Sequence, residues 1–425
     1  MLLSFLKLPK VFYGWWIVIA SLFTGLYVGG VVFYGFTAIF EPIANEMGWS
    51  YAQVSFAASL RGLEMGILAP LIGILTDLWG PRKIILIGAI VTGVGLFLLG
   101  YVTSLVTFYG VFALISIGMS GCTMTVLMTA VANWFHKKVG LATGLAVSGF
   151  GFGGLLVPVM VKLIEVYEWR MAVSILAFGM FLTIIPLSFV FRHKPEQYGY
   201  LTDGQKEDQV IPANETGTSH NIEVDIKINR ALKSSTFWQI SLSFMFHVML
   251  VNATVTHVMP YLSSIGISRS VSSLVATGIP LTSIIGRLGL GWLGDKRNKK
   301  QVTAGAFIMM GSGLFCFALA TTAGAWILVP FIILFGIGYG GANSLRPSLV
   351  REYFGRTSFG TVFGSIIGAS MIGSIIGPVL AGWAYDNWGS YQGIWFIFVS
   401  TTIIAVISTL TIHSVGPTVK SVDKV

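Results

Sequence analysis

Twelve apolar stretches, each long enough to cross a lipid bilayer as a helix, decide what this chain can fold into. A hydrocarbon core about 30 Å thick takes about 20 helical residues at about 1.5 Å each, and no backbone polar group can stay unpaired within it. The stretches lie near 14–39, 52–76, 84–103, 106–132, 140–163 and 170–191, then near 236–261, 271–294, 302–322, 325–349, 358–384 and 390–413. Composition agrees, since charged residues make up 10% of the 425 against about 25% in soluble proteins, and hydrophobic ones 54%. So little polar surface cannot cover a soluble globule of this mass, and lipid is the solvent for most of the chain. The first stretch follows Lys7 and Lys10 but is too long for a signal peptide and lacks a small-residue cleavage site, so it reads as a retained span.

The one long polar segment runs from Arg192 to Ser235. It predicts an N-terminal six-helix bundle over 1–191, a cytoplasmic linker over 192–235 and a C-terminal six-helix bundle over 236–425. The sequon at Asn214 falls in that linker and predicts no glycan there. Lys and Arg accumulate on the cytoplasmic side of membrane proteins. With both termini inside, 20 of the 26 basic residues fall on inner segments, while the outer ones hold only Lys162, Arg170 and Arg269. The net charge of +9 is thereby explained by topology and anionic lipid, with no nucleic-acid partner.

The two halves echo each other. Gly73 to Asp77, followed by Arg82 and Lys83, returns as Gly291 to Asp295, followed by Lys296 and Arg297, 218 positions later. Such a repeat fits a transporter of two pseudo-symmetric bundles with its substrate near the midplane. The first copy, Gly73-Ile74-Leu75-Thr76-Asp77-Leu78-Trp79-Gly80-Pro81-Arg82-Lys83, resembles the loop signature of the major facilitator superfamily, and that resemblance extends over the whole chain. It implies an all-α membrane protein of twelve transmembrane helices in two six-helix bundles. Asp77, Arg82 and Asp295 are then candidate gating residues, because an acid at a helix end can pair with Arg across a bundle interface. A topological anchor with a solvated acid is the alternative, above all for Asp295, whose motif is shorter.

Entering the fifth stretch, Trp134-Phe135-His136-Lys137-Lys138 followed by Ala142-Thr143-Gly144-Leu145-Ala146 resembles the signature of the monocarboxylate transporters. Tyr13-Gly14-Trp15-Trp16 partly matches that family's other motif, without its leading acid. Independently of any family, Ala142, Gly144, Ala146, Gly149 and Gly153 form a ridge almost free of side chains that suits close helix packing, with Gly373, Gly377 and Gly382 as a counterpart in the eleventh stretch.

Chemistry has to come from the few polar groups inside the membrane, which usually face a cavity or a partner. Arg287 stands eight residues before Asp295, about 12 Å from the inner boundary, with no acid within a helical turn. Its planar fork of donors suits a carboxylate, and an Arg at this point of helix 8 binds substrate in the monocarboxylate transporters and the related oxalate/formate exchangers. An interhelical ion pair or carbonyl clamp is the alternative. Where many animal relatives carry an Asp and a Lys tied to proton coupling, this chain has Ser283 and Tyr34, and its eleventh stretch has no Lys or Arg. A single midplane cation predicts a monocarboxylate. Arg61 and Glu64, three residues apart in the outer half of the second stretch, can neutralise each other and form either a proton-sensitive gate or a static pair. His247 is a candidate proton carrier. The superfamily resemblance makes Tyr34, Asn252, Tyr339 and Asn343 candidate substrate contacts, and Arg346, near the inner boundary, could equally snorkel to the headgroups.

No phosphate loop, nucleophile constellation or metal-ligand spacing occurs, and Cys122 and Cys316 lie within apolar runs, so the chain reads as a secondary carrier rather than an enzyme, with no cofactor and no metal. The expected function is symport of a small monocarboxylate of the lactate or pyruvate kind with a proton, by alternating access in a functional monomer. The alternatives are an organic-anion exchanger without proton coupling and a non-transporting membrane sensor. Compact loops and the lack of an obvious targeting extension predict a multi-pass protein of a bacterial inner membrane with both termini cytoplasmic.

Overall fold

The structure, a computed structural model, describes residues 12–135, 139–198, 228–354 and 359–412, with side chains described except at 61–66, 69, 70, 77, 139–141, 228, 229 and 359–361. The described residues form helices and no strand. In chain order the spans are α1 Gly14–Met47, α2 Tyr51–Trp79, α3 Pro81–Leu99, α4 Leu105–Ala132, α5 at 139–167 and α6 at 169–188. They continue as α7 Ser235–Ser264, α8 Arg269–Lys296, α9 Lys299–Ala318, α10 Ala325–Phe354, α11 Phe359–Trp388 and α12 Gln392–Leu410. Each predicted apolar stretch falls on one of them.

Local chemistry explains the ends. Ser104 opens α4 with a capping box, its hydroxyl accepting the Thr107 N–H at 3.3 Å. Asn298 caps α9 through the Lys300 N–H at 3.0 Å. At the start of α3, Gly80 takes a positive φ of 81° and hands over to Pro81, whose fixed φ suits the first helical position, so α3 begins three residues earlier than the apolar run. Two features escape the apolar pattern. No loop separates α5 from α6, because the chain turns on Glu168 alone, at φ 62° and ψ 163°. And α1 contains a π-helical turn over Gly29–Tyr34, closed by the Gly35 N–H on the Gly30 carbonyl at 2.7 Å.

Contacts divide the chain into two compact units, Met1–Gly35 with Ile67–Thr216, and Phe36–Gly66 with Gly217–Val425. In the first, α1 packs on α5 through the glycine ridge, with Gly149 set on the Leu22 carbonyl and Gly153 on the backbone of Gly30. The two family-like motifs also meet here. Tyr13 lies 5.3 Å from Trp134, and Trp15 lies 5.1 Å from Phe135. Gly14 sits beneath the Phe135 ring, where a methyl group would stand 2.8 Å from it. Arg192 clamps the knot, its guanidinium 3.9 Å from the Tyr13 ring centre and its carbonyl accepting the Trp134 indole N–H at 3.2 Å.

In the second unit α8 and α10 run parallel in close contact, because Gly286 abuts the Ile337 carbonyl and Gly340 the Ser283 carbonyl. The expected ridge of α11 packs on α7, Gly373 against Met245 and Gly377 against Met249. An aromatic cluster binds α7, α9, α10 and α12 together, with Phe317 stacked on Phe331 at 4.2 Å and Tyr261 at 4.6 Å from Phe317.

Candidate functional site

The sequence places Tyr339, Asn343 and Arg346 at i, i+4 and i+7, on one face of α10. In the second unit this face meets His247 of α7. Arg346 Nη2 donates to Asn343 Oδ1 at 3.4 Å and approaches His247 Nδ1 at 3.5 Å. Its guanidinium carbon lies 4.6 Å over the Phe244 ring, and His247 faces Tyr339 at 6.1 Å and Phe307 at 5.9 Å. Three of the predicted site residues are thus brought together, and a fourth group joins them. Arg346 does not snorkel, for it is 9% exposed, and His247 is 2% exposed.

The electrostatics of this cluster are unusual. Among the described residues Arg346 has no ion pair. Leaving a buried guanidinium without a counter-charge costs several kcal/mol, of which stacking on a ring recovers about 2 kcal/mol. One donor stays unsatisfied as well. Arg346 Nε is buried with no hydrogen-bond partner, whereas His247, whose Nδ1 accepts from Arg346, also has the Tyr339 backbone as a partner. A buried cation with an unpartnered Nε–H is a receptor for a carboxylate or a similar anion.

Arg287 lies on the neighbouring α8, one residue past the Gly286 contact with Ile337 and so near the height of Tyr339. It is half-buried and already engaged, so a carboxylate reaching it shares or displaces an existing contact. Arg346 stands nine residues beyond Ile337, about 13 Å further along α10. Among the described residues α8 and α10 thus carry Arg287 and, nearer the end of α10, Arg346. Asn252 turns its amide back onto the Val248 carbonyl at 3.0 Å. Tyr34, 3% exposed, lies in the π-helical turn of α1 in the first unit. Tyr27, seven residues before it, commits its hydroxyl to the Leu176 carbonyl at 2.6 Å.

Of the gating candidates, Arg82 is exposed and stacks on Phe189 at 4.5 Å, and Asp295 is exposed with no ion pair among the described residues. The side chains of Arg61, Glu64 and Asp77 lie outside the described residues. Sequence reasoning missed a set of contacts that fastens 36–66 to the rest of the second unit. Asp386 of α11 accepts the backbone N–H groups of Tyr51 and Ala52 at 3.0 and 2.8 Å. Arg269 lies 3.8 Å from Glu41 and donates to the Ala38 carbonyl at 2.9 Å. His257, fully buried, meets the Tyr391 hydroxyl, the Pro378 carbonyl and the Ser55 hydroxyl, each at 2.9 Å. It is a satisfied structural histidine.

The sequence profile described as Major Facilitator Superfamily matches residues 22–265 and 241–423. The chain belongs to the Major Facilitator Superfamily. It is thus a multi-pass membrane transporter and not an enzyme. Monocarboxylate transporter 12 of Rattus norvegicus is 25% identical over 403 residues, covering 90% of this chain and 82% of that protein. The oxalate:formate antiporter of Oxalobacter formigenes is 24% identical over 351 residues, covering 80% of this chain and 78% of the antiporter. Among solved structures of the same fold, nucleoside transporter NupG superposes with a TM-score of 0.73 at 15% identity, covering 94% of this chain and 100% of that one. A bacterial homologue of the human lysosomal transporter Spinster gives 0.69 at 15% identity, covering 94% of this superfamily member and 96% of the other chain.

Proposed function

We propose that this transporter carries small monocarboxylates, of the lactate or pyruvate kind, together with a proton. The observation that carries the reading is Arg346, a buried guanidinium with no described acid, whose Nε has no hydrogen-bond partner. A carboxylate satisfies that donor and neutralises the cation, a charge-assisted gain of about 1.5 to 3 kcal/mol per hydrogen bond. Arg287 supplies a second carboxylate-matching fork on α8, with Tyr339 and Asn343 beside the cluster and Asn252 as a further polar contact for a hydroxyl or keto oxygen; Tyr34 is the substrate-contact candidate of the first unit. The relatives named monocarboxylate transporter and oxalate:formate antiporter support an organic anion as cargo.

Transport proceeds by alternating access of the six-helix halves 1–191 and 236–425, joined by the linker 192–235. Glu64, Arg61 and His247 are assigned to proton coupling, and Asp77, Arg82 and Asp295 to gating. The basic inner segments support cytoplasmic termini, and the reading takes the membrane as a bacterial inner membrane and the monomer as the working unit. Labelled lactate or pyruvate in proteoliposomes tests this: an inward proton gradient should stimulate uptake, and uptake indifferent to both the gradient and Arg287→Ala refutes it. A second reading, exchange of one organic anion for another, is supported by the likeness to the oxalate:formate antiporter. Uptake that requires a counter-anion inside and ignores the proton gradient selects it.

A further inference from the structure

The first unit holds a cavity of about 660 Å³ where the start of α3 meets the chain leaving α6. Arg82, Lys83, His193 and Lys194 line it, together with Leu78 and Trp79, and no acid occurs among its described lining residues. Of the acids nearby in sequence, Glu196 is exposed and outside the lining, and the Asp77 side chain lies outside the described residues. The N-terminus of α3 contributes as well. Gly80 and Pro81 form part of the wall, and a helix of 19 residues directs its free N–H groups and about half a positive charge toward this end.

The wall is built rather than incidental. Gly80, at φ 81°, leaves room for the His193 ring, whose Nδ1 would stand 2.7 Å from a methyl group at that position. The Asn133 amide donates to the His193 carbonyl at 3.3 Å, and the Trp134 indole to the Arg192 carbonyl at 3.2 Å, so residues at the entry to α5 hold the basic segment 192–194 in place. In the same lining Leu78 and Trp79 are 71% and 52% exposed, and Phe189 beneath Arg82 is 52% exposed.

A concave site of this volume, lined by both cationic and apolar side chains, fits an amphipathic anion. It lies at the end of two spans, where Trp side chains and anionic headgroups meet. We propose that this cavity binds the phosphate of an anionic phospholipid. Arg82, Lys83 and Lys194 contact the phosphate oxygens, and Leu78 and Trp79 cover the first carbons of the acyl chains. The site is distinct from the cluster of α7 and α10 and makes no use of the transported substrate. That this lipid belongs to the inner leaflet rests on the orientation proposed above.

The test is lipid retention by the purified full chain, read by native mass spectrometry in neutral detergent after addition of phosphatidylglycerol or phosphatidylcholine. Phosphatidylglycerol should be retained and phosphatidylcholine lost. Lys83→Gln with Lys194→Gln should weaken retention about thirtyfold, at ~1 kcal/mol for each lysine near an anionic surface. Lys83→Arg with Lys194→Arg should restore it, which separates loss of charge from loss of fold. Competition by millimolar inorganic phosphate as strong as that of the lipid upholds the phosphate site but makes its source a soluble anion. Equal retention of the two lipids, or undiminished phosphatidylglycerol in the glutamine variant, overturns the proposal whatever the protein transports.

Discussion

Replacing Asp386 with alanine should loosen the attachment of 36–66 to α11 by an amount the structure lets us work out. Its two carboxylate oxygens accept the N–H groups of Tyr51 and Ala52 at the first turn of α2, which is the role of a capping acid supplied from 335 positions away. Losing a cap costs about 0.5 to 2 kcal/mol, and losing a charge at a helix N-terminus about 0.3 to 1 kcal/mol. Asp386 is exposed, which puts the loss near the low end, ~1 kcal/mol or about fivefold in the equilibrium for detachment. Ser59 reports that equilibrium. It is fully buried, with its hydroxyl on the Ile375 carbonyl at 2.7 Å. In a background with Cys122 and Cys316 changed to serine, Ser59→Cys should react with a maleimide about five times faster when Asp386→Ala is added. Asp386→Asn, which keeps one acceptor oxygen, should give a smaller increase. Equal labelling rates with and without Asp386→Ala refute the reasoning.

Gly14→Ala should destabilise the first unit by about 1 to 3 kcal/mol, because the new methyl group meets the Phe135 ring, and thermal unfolding in detergent measures it. His257→Ala leaves the Tyr391 hydroxyl and the Pro378 carbonyl without their buried partner and should cost about 3 kcal/mol or more in the same assay. His247→Ala withdraws the Nδ1 acceptor from the buried Arg346 and should cost about 1 to 3 kcal/mol in the same assay.

Length and apolarity made the spans readable, because nothing but a helix can satisfy about 20 backbone groups in hydrocarbon. The break between α5 and α6 was harder to read. A single residue, Glu168, makes the turn, and the polar residues around it suggested a loop where there is none. The π-helical turn at Gly29–Tyr34 leaves no periodic trace in so apolar a segment. His247, Tyr339 and Asn343 stood out because a polar side chain inside a membrane needs a reason. Their meeting depends on how α7 and α10 pack, which the spacing along either helix does not contain. Arg346 was ambiguous for a physical reason, since a residue two turns from a helix end can reach either the headgroups or the interior, and only Phe244 and His247 decide which. The Asp386 cap was invisible, because nothing local in 51–52 or 386 indicates a partner so far along the chain.

The claim on which the account turns is that the buried cations of the second unit receive a carboxylate. Calorimetric titration of the purified transporter with lactate, pyruvate and acetate tests it most directly, alongside Arg346→Gln and Arg287→Gln. The account predicts that at least one of these acids binds and that each substitution weakens it about tenfold or more, the loss of a charge-assisted hydrogen bond. A small carboxylate that binds both variants as tightly as the parent chain contradicts it.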